Sequence, residues 1–256
     1  NGIFNFANNV VYNWVHRAID GGDYTAQYNI MNNYFKPGPA TPAGEPISYR
    51  LLKPESGRSK LPYVVFGRAY VEGNIVDGNA AVTTDNWNGG VQIENKQGNL
   101  MSFEEATPYF AAMRSNKPFP HAAFTLTSAE DAYEYVLKNA GATLPRRDPV
   151  DQRIVREVRD GKPTPLKNVT LPEKDFEHRR LPKDSYKVGI ITDISQVGGY
   201  PEYKGKPYKD SDNDGIPDDV ERKMGLDPKN PKDSAEITES GYANIEIYLN
   251  NLASKG

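Results

Sequence analysis

The sequence predicts a mainly β fold, and three observations predict it. The N-terminal part is rich in Asn, Gly, Tyr and β-branched residues, the composition of short strands joined by turns. Three of its runs share one frame: FNFANNVVYN at 4–13, YNIMNNYFKP at 28–37 and AYVEGNIVDG at 69–78. Each alternates apolar residues, centres an Asn (Asn9, Asn33, Asn74) and adds further apolar or aromatic residues.

The centred asparagines recur after 24 and then 41 residues, within the repeat range of stacked-coil architectures. Equivalent Asn side chains on stacked coils can hydrogen-bond along the stack, as Asn ladders do in other stacked-strand structures. A parallel β-helix over 1–125 accounts for all three runs. Three unrelated turn asparagines in an ordinary β-domain is the alternative. The longer interval carries a Pro/Gly/Ser-rich excursion, KPGPATPAGEP and KPESGRSKLP.

Residues 126–207 read as helices and an extended strap. Ser128 is a candidate N-cap with Asp131 three places on, and Gly141 closes the segment. Its apolar stripe is Ala132, Tyr133, Val136, Leu137 and Ala140. A second helix is framed by Asp148, Pro149 and Gly161. Val150, Ile154, Val155 and Val158 should line one face, with Arg153, Arg156, Glu157 and Arg159 on a solvated one. KPTPLKNVTLPEKDFEHRRLPKDSYK then reads as the strap, and VGI at 188–190 as at most a short strand.

Residues 208–256 read as a small EF-hand-like unit. DSDNDGIPDDVE at 210–221 matches the twelve-place calcium pattern, with Asp at places one, three, five and nine, Gly at six and Glu at twelve. Asp210, Asp212 and Asp214 would each donate an oxygen to Ca2+, Ile216 its carbonyl, Asp218 an oxygen directly or through water, and Glu221 two. Gly215 permits the sharp turn. Without a cation the clustered carboxylates would repel one another; the alternative is an exposed acidic linker. EITESGYANIEI at 236–247 keeps Gly241 and oxygen-bearing Glu236, Thr238, Ser240 and Asn244, but ends on Ile247, which cannot ligate. One filled and one degenerate loop suit a structural device. A calcium switch would need a Met-rich surface, and this region supplies only Met224.

Composition bounds the rest. With 256 residues, 37% hydrophobic and 11% aromatic, the chain can build a core. A net charge of −3 gives no bulk attraction to nucleic acid. The absence of Cys excludes disulfides, zinc–thiolate sites and a Cys nucleophile. No stretch is long enough to span a membrane. His16, His121 and His178 show no metal spacing and no triad.

NGIFNFANNVVYNW with YNIMNNYFKPGPATP, and AGATLPRRDPVDQRIVREVRDGK, resemble the late coils and tail of bacterial secreted pectate lyases of polysaccharide lyase family 1. DSDNDGIPDDVERKMGLDPKNP with GYANIEIYLNNL resembles the thrombospondin type 3-like or dockerin-like unit often attached to such enzymes. The resemblance implies the last coils of a right-handed parallel β-helix. It implies β-elimination of polygalacturonate, an acidic glycan, by a chain that is secreted, periplasmic or at the bacterial cell surface. The chain is expected to be a monomer, with association to the upstream part of the same protein as the alternative. In the family a base, an Arg, removes the proton α to the uronate carboxylate, and calcium acidifies that proton. That Arg belongs to an R-x-P-R-like stretch expected upstream of Asn1, so no catalytic base carries over, and the isolated chain is expected to be inactive. Arg17 falls near a substrate-contacting Arg of the family, and Lys36 is a weaker candidate. The alternatives are a binding module presenting Tyr side chains, Trp14, Trp87 and Arg17 to an acidic glycan without cleavage, and a calcium-stabilised structural or docking module.

Overall fold

The computed structural model describes residues 2–56, 61–95, 97–141, 143, 147–168, 181, 184–202 and 205–254. They fall into two compact units, one of residues 1–140 with 150–199, the other of 141–149 with 200–256.

The first unit is built on two three-stranded parallel sheets. Strands β1 (Ile3–Ala7), β3 (Gln27–Met31) and β5 (Arg68–Glu72) form one. Strands β2 (Val10–Tyr12), β4 (Tyr34–Lys36) and β6 (Ile75–Val76) form the other. In both sheets the chain returns to register after 24 residues and then after 41. Ile3 pairs with Gln27 and Gln27 with Arg68; Val10 pairs with Tyr34 and Tyr34 with Ile75. These are the two intervals between the centred asparagines. Outside these strands, isolated parallel bridges join Asp20 to Lys53 and Leu52 to Val91.

Each bend between consecutive strands (β1 to β2, β3 to β4, β5 to β6) uses one residue with positive φ followed by one Asn. Asn8 (φ 55), Asn32 (φ 51) and Gly73 (φ 69) take the left-handed position, which Asn tolerates and Gly adopts freely. The following asparagines stack. Asn9 donates its backbone N–H and side-chain amide to Asn33 Oδ1 at 2.9 and 3.0 Å. Asn33 does the same to Asn74 at 3.0 and 2.8 Å. Asn74 continues to Asn86 with both contacts at 2.9 Å. Asn33 and Asn74 are fully buried, and this pairing satisfies polar groups that would otherwise be costly inside a core. Apolar residues of the strands and their connections, among them Ile30, Phe35, Leu51, Leu52, Val71 and Val76, fill the space between the sides.

Helices cover this stack. Helix α1 (Ala80–Thr84) follows β6, with Asn79 accepting from the Val82 N–H. Helix α2 (Phe103–Met113) opens on a capping box: Ser102 accepts from Glu105 N–H, and Glu105 from Ser102 N–H. Its Ala106 and Met113 enter the core, and its Tyr109 and Phe110 meet Phe66 and Trp87 edge-on. Past its end, Ser115 N–H donates to Ala69 O at 2.8 Å, so the segment adds onto the free edge of β5. Helix α3 (Ala129–Asn139) starts at the expected Ser128 cap and buries Ala129, Ala132 and Leu137. Helix α4 is Pro149–Asp160.

Three expectations change. Six α-helices stand beside short strands among the described residues, so the fold is mixed rather than mainly β. On α4, Arg153 and Glu157 are buried while Ile154 is 43% exposed. The two charges pair at 3.0 Å, and Glu157 also accepts from Thr164 N–H, so the i, i+4 pair enters as a neutralised unit. Val188 ends a 3-10 turn (Ser185–Val188) with Gly189 in the left-handed region, not a strand. Most of the expected strap, residues 169–180 and 182–183, and with it His178, lies outside the described residues. No described helix is long and apolar enough to cross a membrane.

The second unit contains α5 (Asp218–Met224), a 3-10 turn (Asp233–Ala235) and α6 (Asn244–Ala253). Gly225, at φ +80, ends α5.

Candidate metal centre

The acidic loop folds as a tight wrap. Asp210 accepts from Asn213 N–H at 2.7 Å and from Gly215 N–H at 3.1 Å. Asn213 (φ 61) and Gly215 (φ 98) supply the left-handed steps that turn the chain around that carboxylate. Asp214 accepts from Ile216 N–H at 2.8 Å, and Ile216 is fully buried.

Oxygens of Asp210, Asp212 and Asp214 lie within 4.8 Å of one another, and so do oxygens of Asp214, Glu221 and Asp233. Glu221 is fully buried at the foot of the loop, and Asp233 is 5% exposed. Both oxygens of Asp212, both of Glu221, Oδ2 of Asp214 and Oδ1 of Asp233 are buried with no hydrogen-bond donor. Burial and the neighbouring carboxylates of Asp212, Asp214, Asp233 and Asp218 push the Glu221 carboxyl up to about 7. Burial, then Asp214, likewise raises that of Asp212. Buried, unpartnered carboxylates converging on one space are costly unless a cation joins them. The donors are all hard oxygens at the spacing one ion can bridge, so the residues fit calcium.

Asp218 is already partnered. It accepts from Ser211 N–H at 2.8 Å and Ser211 Oγ at 3.0 Å, and pairs with Lys209 at 2.9 Å and Arg222 at 3.4 Å. The Lys209 hydrogen bond leads the effects that lower its carboxyl to about 2. Asp233, outside the twelve-place pattern, escaped sequence reading; its signal is an Asp in the turn before the degenerate loop. That second loop closes on itself: Thr238 N–H donates to Tyr242 O at 2.9 Å, Thr238 and Ser240 hydroxyls share a hydrogen bond, and Glu246 caps α6.

The other candidates lie in the first unit. Arg17 is exposed and paired with Asp20 at 3.1 Å. Lys36 donates to Arg159 O at 3.1 Å and Tyr133 Oη at 3.3 Å, so it ties β4 to α3 and α4. Trp14 and Trp87 are buried in the core, since their ring area is used for packing, and neither is presented at the surface as the binding-module alternative required. His16 and His121 are exposed. A pocket of about 510 Å³ is lined by Lys53, Glu55, Tyr63, Phe66, Glu94 and neighbouring residues. The Lys53 ammonium there is already held by Glu55 and Glu94.

No protein-family model matches the chain. Over 259 residues it is 30% identical to a protein named probable pectate lyase C from Aspergillus fumigatus, covering 98% of this chain and 49% of that protein. The like-named protein of Aspergillus flavus is 30% identical over 255 residues, with the same coverage of 98% and 49%. That of Emericella nidulans is 29% identical over 264 residues, covering 100% of this chain and 49% of the relative. The chain is thus a homologue of pectate lyase-named proteins over nearly its whole length, and it spans about half the length of these curated relatives. The relatives are fungal, which gives no support to a bacterial source.

Proposed function

We propose that this chain is the C-terminal part of a secreted, pectate lyase-like polysaccharide lyase that cleaves polygalacturonate by β-elimination. The observation that carries the reading is similarity across 98% of the chain to a protein named probable pectate lyase C. Parallel strands in constant register, bent at stacked asparagines, support the finer reading of a right-handed parallel β-helix. The division into a β-helix part at 1–125, helices and strap at 126–207 and a calcium unit at 208–256 belongs to the same reading.

In β-elimination a base takes the proton α to the uronate carboxylate, and the C–O bond β to it breaks with no water consumed. No residue of this chain is assigned that base; it is expected in the rest of the protein. Arg17, exposed in the connection after β2, is the better placed cation for a uronate carboxylate. Lys36 remains a candidate, although its ammonium already serves β4, α3 and α4.

Calcium is the proposed cofactor of the 210–221 loop. Asp210, Asp212, Asp214 and Glu221 would hold it, with the Ile216 carbonyl, and Asp218 through water. When bound it neutralises the carboxylates, a structural contribution to this unit.

The test incubates the whole protein with polygalacturonate and follows unsaturated uronides by their ultraviolet absorbance. The expected result is product from the whole protein, none from residues 1–256 alone, and a raised KM for Arg17→Ala. A folded whole protein that binds polygalacturonate without forming unsaturated product would leave the glycan-binding alternative instead.

A further inference from the structure

We propose that Asp233 is a ligand of the same cation as the acidic loop, so that one ion joins the loop to the degenerate loop–helix that follows. This rests on the reading that residues 210–221 bind calcium, and adds a ligand that the twelve-place pattern does not contain.

A carboxylate oxygen of Asp233 lies within 4.8 Å of oxygens from both Asp214 and Glu221. Its side chain is aimed rather than adrift. Oδ2 accepts from Asp227 N–H at 2.9 Å, while Oδ1 is buried with no donor. Beside it the fully buried Glu221 leaves both oxygens without partners. Two carboxylates so placed call for a cation between them.

The usual ninth-place ligand leaves room for this role. Asp218 holds that place but spends its oxygens on Ser211, Lys209 and Arg222. Asp233 supplies the missing carboxylate from another part of the chain. Together with single oxygens from Asp210, Asp212 and Asp214, the Ile216 carbonyl and two oxygens from Glu221, it brings the donor set within the roughly six to eight oxygens calcium takes.

The consequence reaches beyond the loop. Asp233 starts the 3-10 turn, and its carbonyl accepts from Asn244 Nδ2 at 2.8 Å, at the first turn of α6. An ion that fixes Asp233 therefore fixes the start of α6, and the second loop needs no ion of its own.

The experiment is calcium titration by calorimetry on the full chain after chelation and dialysis, for wild type, Asp233→Asn, Asp214→Asn and Asp218→Asn. The isosteric Asp233→Asn keeps an acceptor for Asp227 N–H. Expected are one calcium per chain, near-complete loss of binding in Asp214→Asn, and a loss of about tenfold or more in Asp233→Asn, at least what removing an outer partner costs. Asp218→Asn should cost less than Asp233→Asn. Hydrogen exchange of the wild type adds a readout that needs no variant: calcium should slow exchange at 233–235 and in α6 as well as in the loop. Unchanged affinity in Asp233→Asn, two calcium ions per chain, or protection confined to 210–221 would each overturn the shared ion while leaving the loop reading intact. No calcium binding by the wild type would overturn both.

Discussion

Asn33 is an inner rung of the buried asparagine ladder. Its Oδ1 accepts twice from Asn9, and its Nδ2 donates to Asn74 Oδ1 and to Phe6 O at 2.8 Å each. Asn33→Ala would strand several buried partners, and unsatisfied buried groups cost about 1–3 kcal/mol each. A loss of about 3 kcal/mol in urea unfolding of the first unit is expected; a loss under about 1 kcal/mol would mean the ladder is not a stabilising element. Asn33 was legible in the sequence because the same frame recurs around it. Asp233 was not, because its partners come from the preceding loop and only folding brings them together. Glu221 yields a second prediction. Its carboxyl is raised from an ordinary 4.5 to about 7, so the calcium-free folded unit binds this proton more tightly than the unfolded chain does. Stability from this group is then full below about 4.5 and is lost as pH rises through about 7. In chelator, urea midpoints of the second unit should fall across that range, and Glu221→Gln should flatten the slope. A midpoint that rises over the same interval contradicts the assignment.

Elements were legible where their periodicity is carried by the chain itself. The strand register follows the spacing of the asparagines, because in-register parallel strands put equivalent residues on top of one another. Helix α3 declared itself through Ser128 and its stripe. Helix α2 did not, because Pro108 sits inside it and reads as a breaker. Its start was nonetheless written in Ser102 and Glu105. On α4 the solvated Arg156 and Arg159 and the buried Val158 were read correctly, but Arg153 and Glu157 were not, because they neutralise each other and can be buried. Two substitutions rank the bends against the caps. Ser102→Ala removes half a capping box and should cost about 1 kcal/mol. Gly73→Ala should cost more: φ is +69, and the added Cβ would overlap Asn32 Oδ1. Chemical denaturation of both variants checks the order; the reverse order would show that the bend tolerates a side chain.

At the scale of the whole molecule the two units rest on different physics. The first closes on an apolar core and a buried Asn ladder. The second has a buried Ile216 but converges buried carboxylates without hydrogen-bond donors, which a bound cation would neutralise. The acidic loop was plain from sequence; the residue that would tie it to the second half was not. A bound ion present at about 100 times its dissociation constant adds about 2.7 kcal/mol to the state that binds it. Thermal unfolding of the full chain, followed in chelator and again in millimolar calcium, tests this most directly. The account predicts that calcium raises the melting of the second unit, leaves the first unchanged, and loses its effect in Asp214→Asn. Equal melting curves with and without calcium would contradict it.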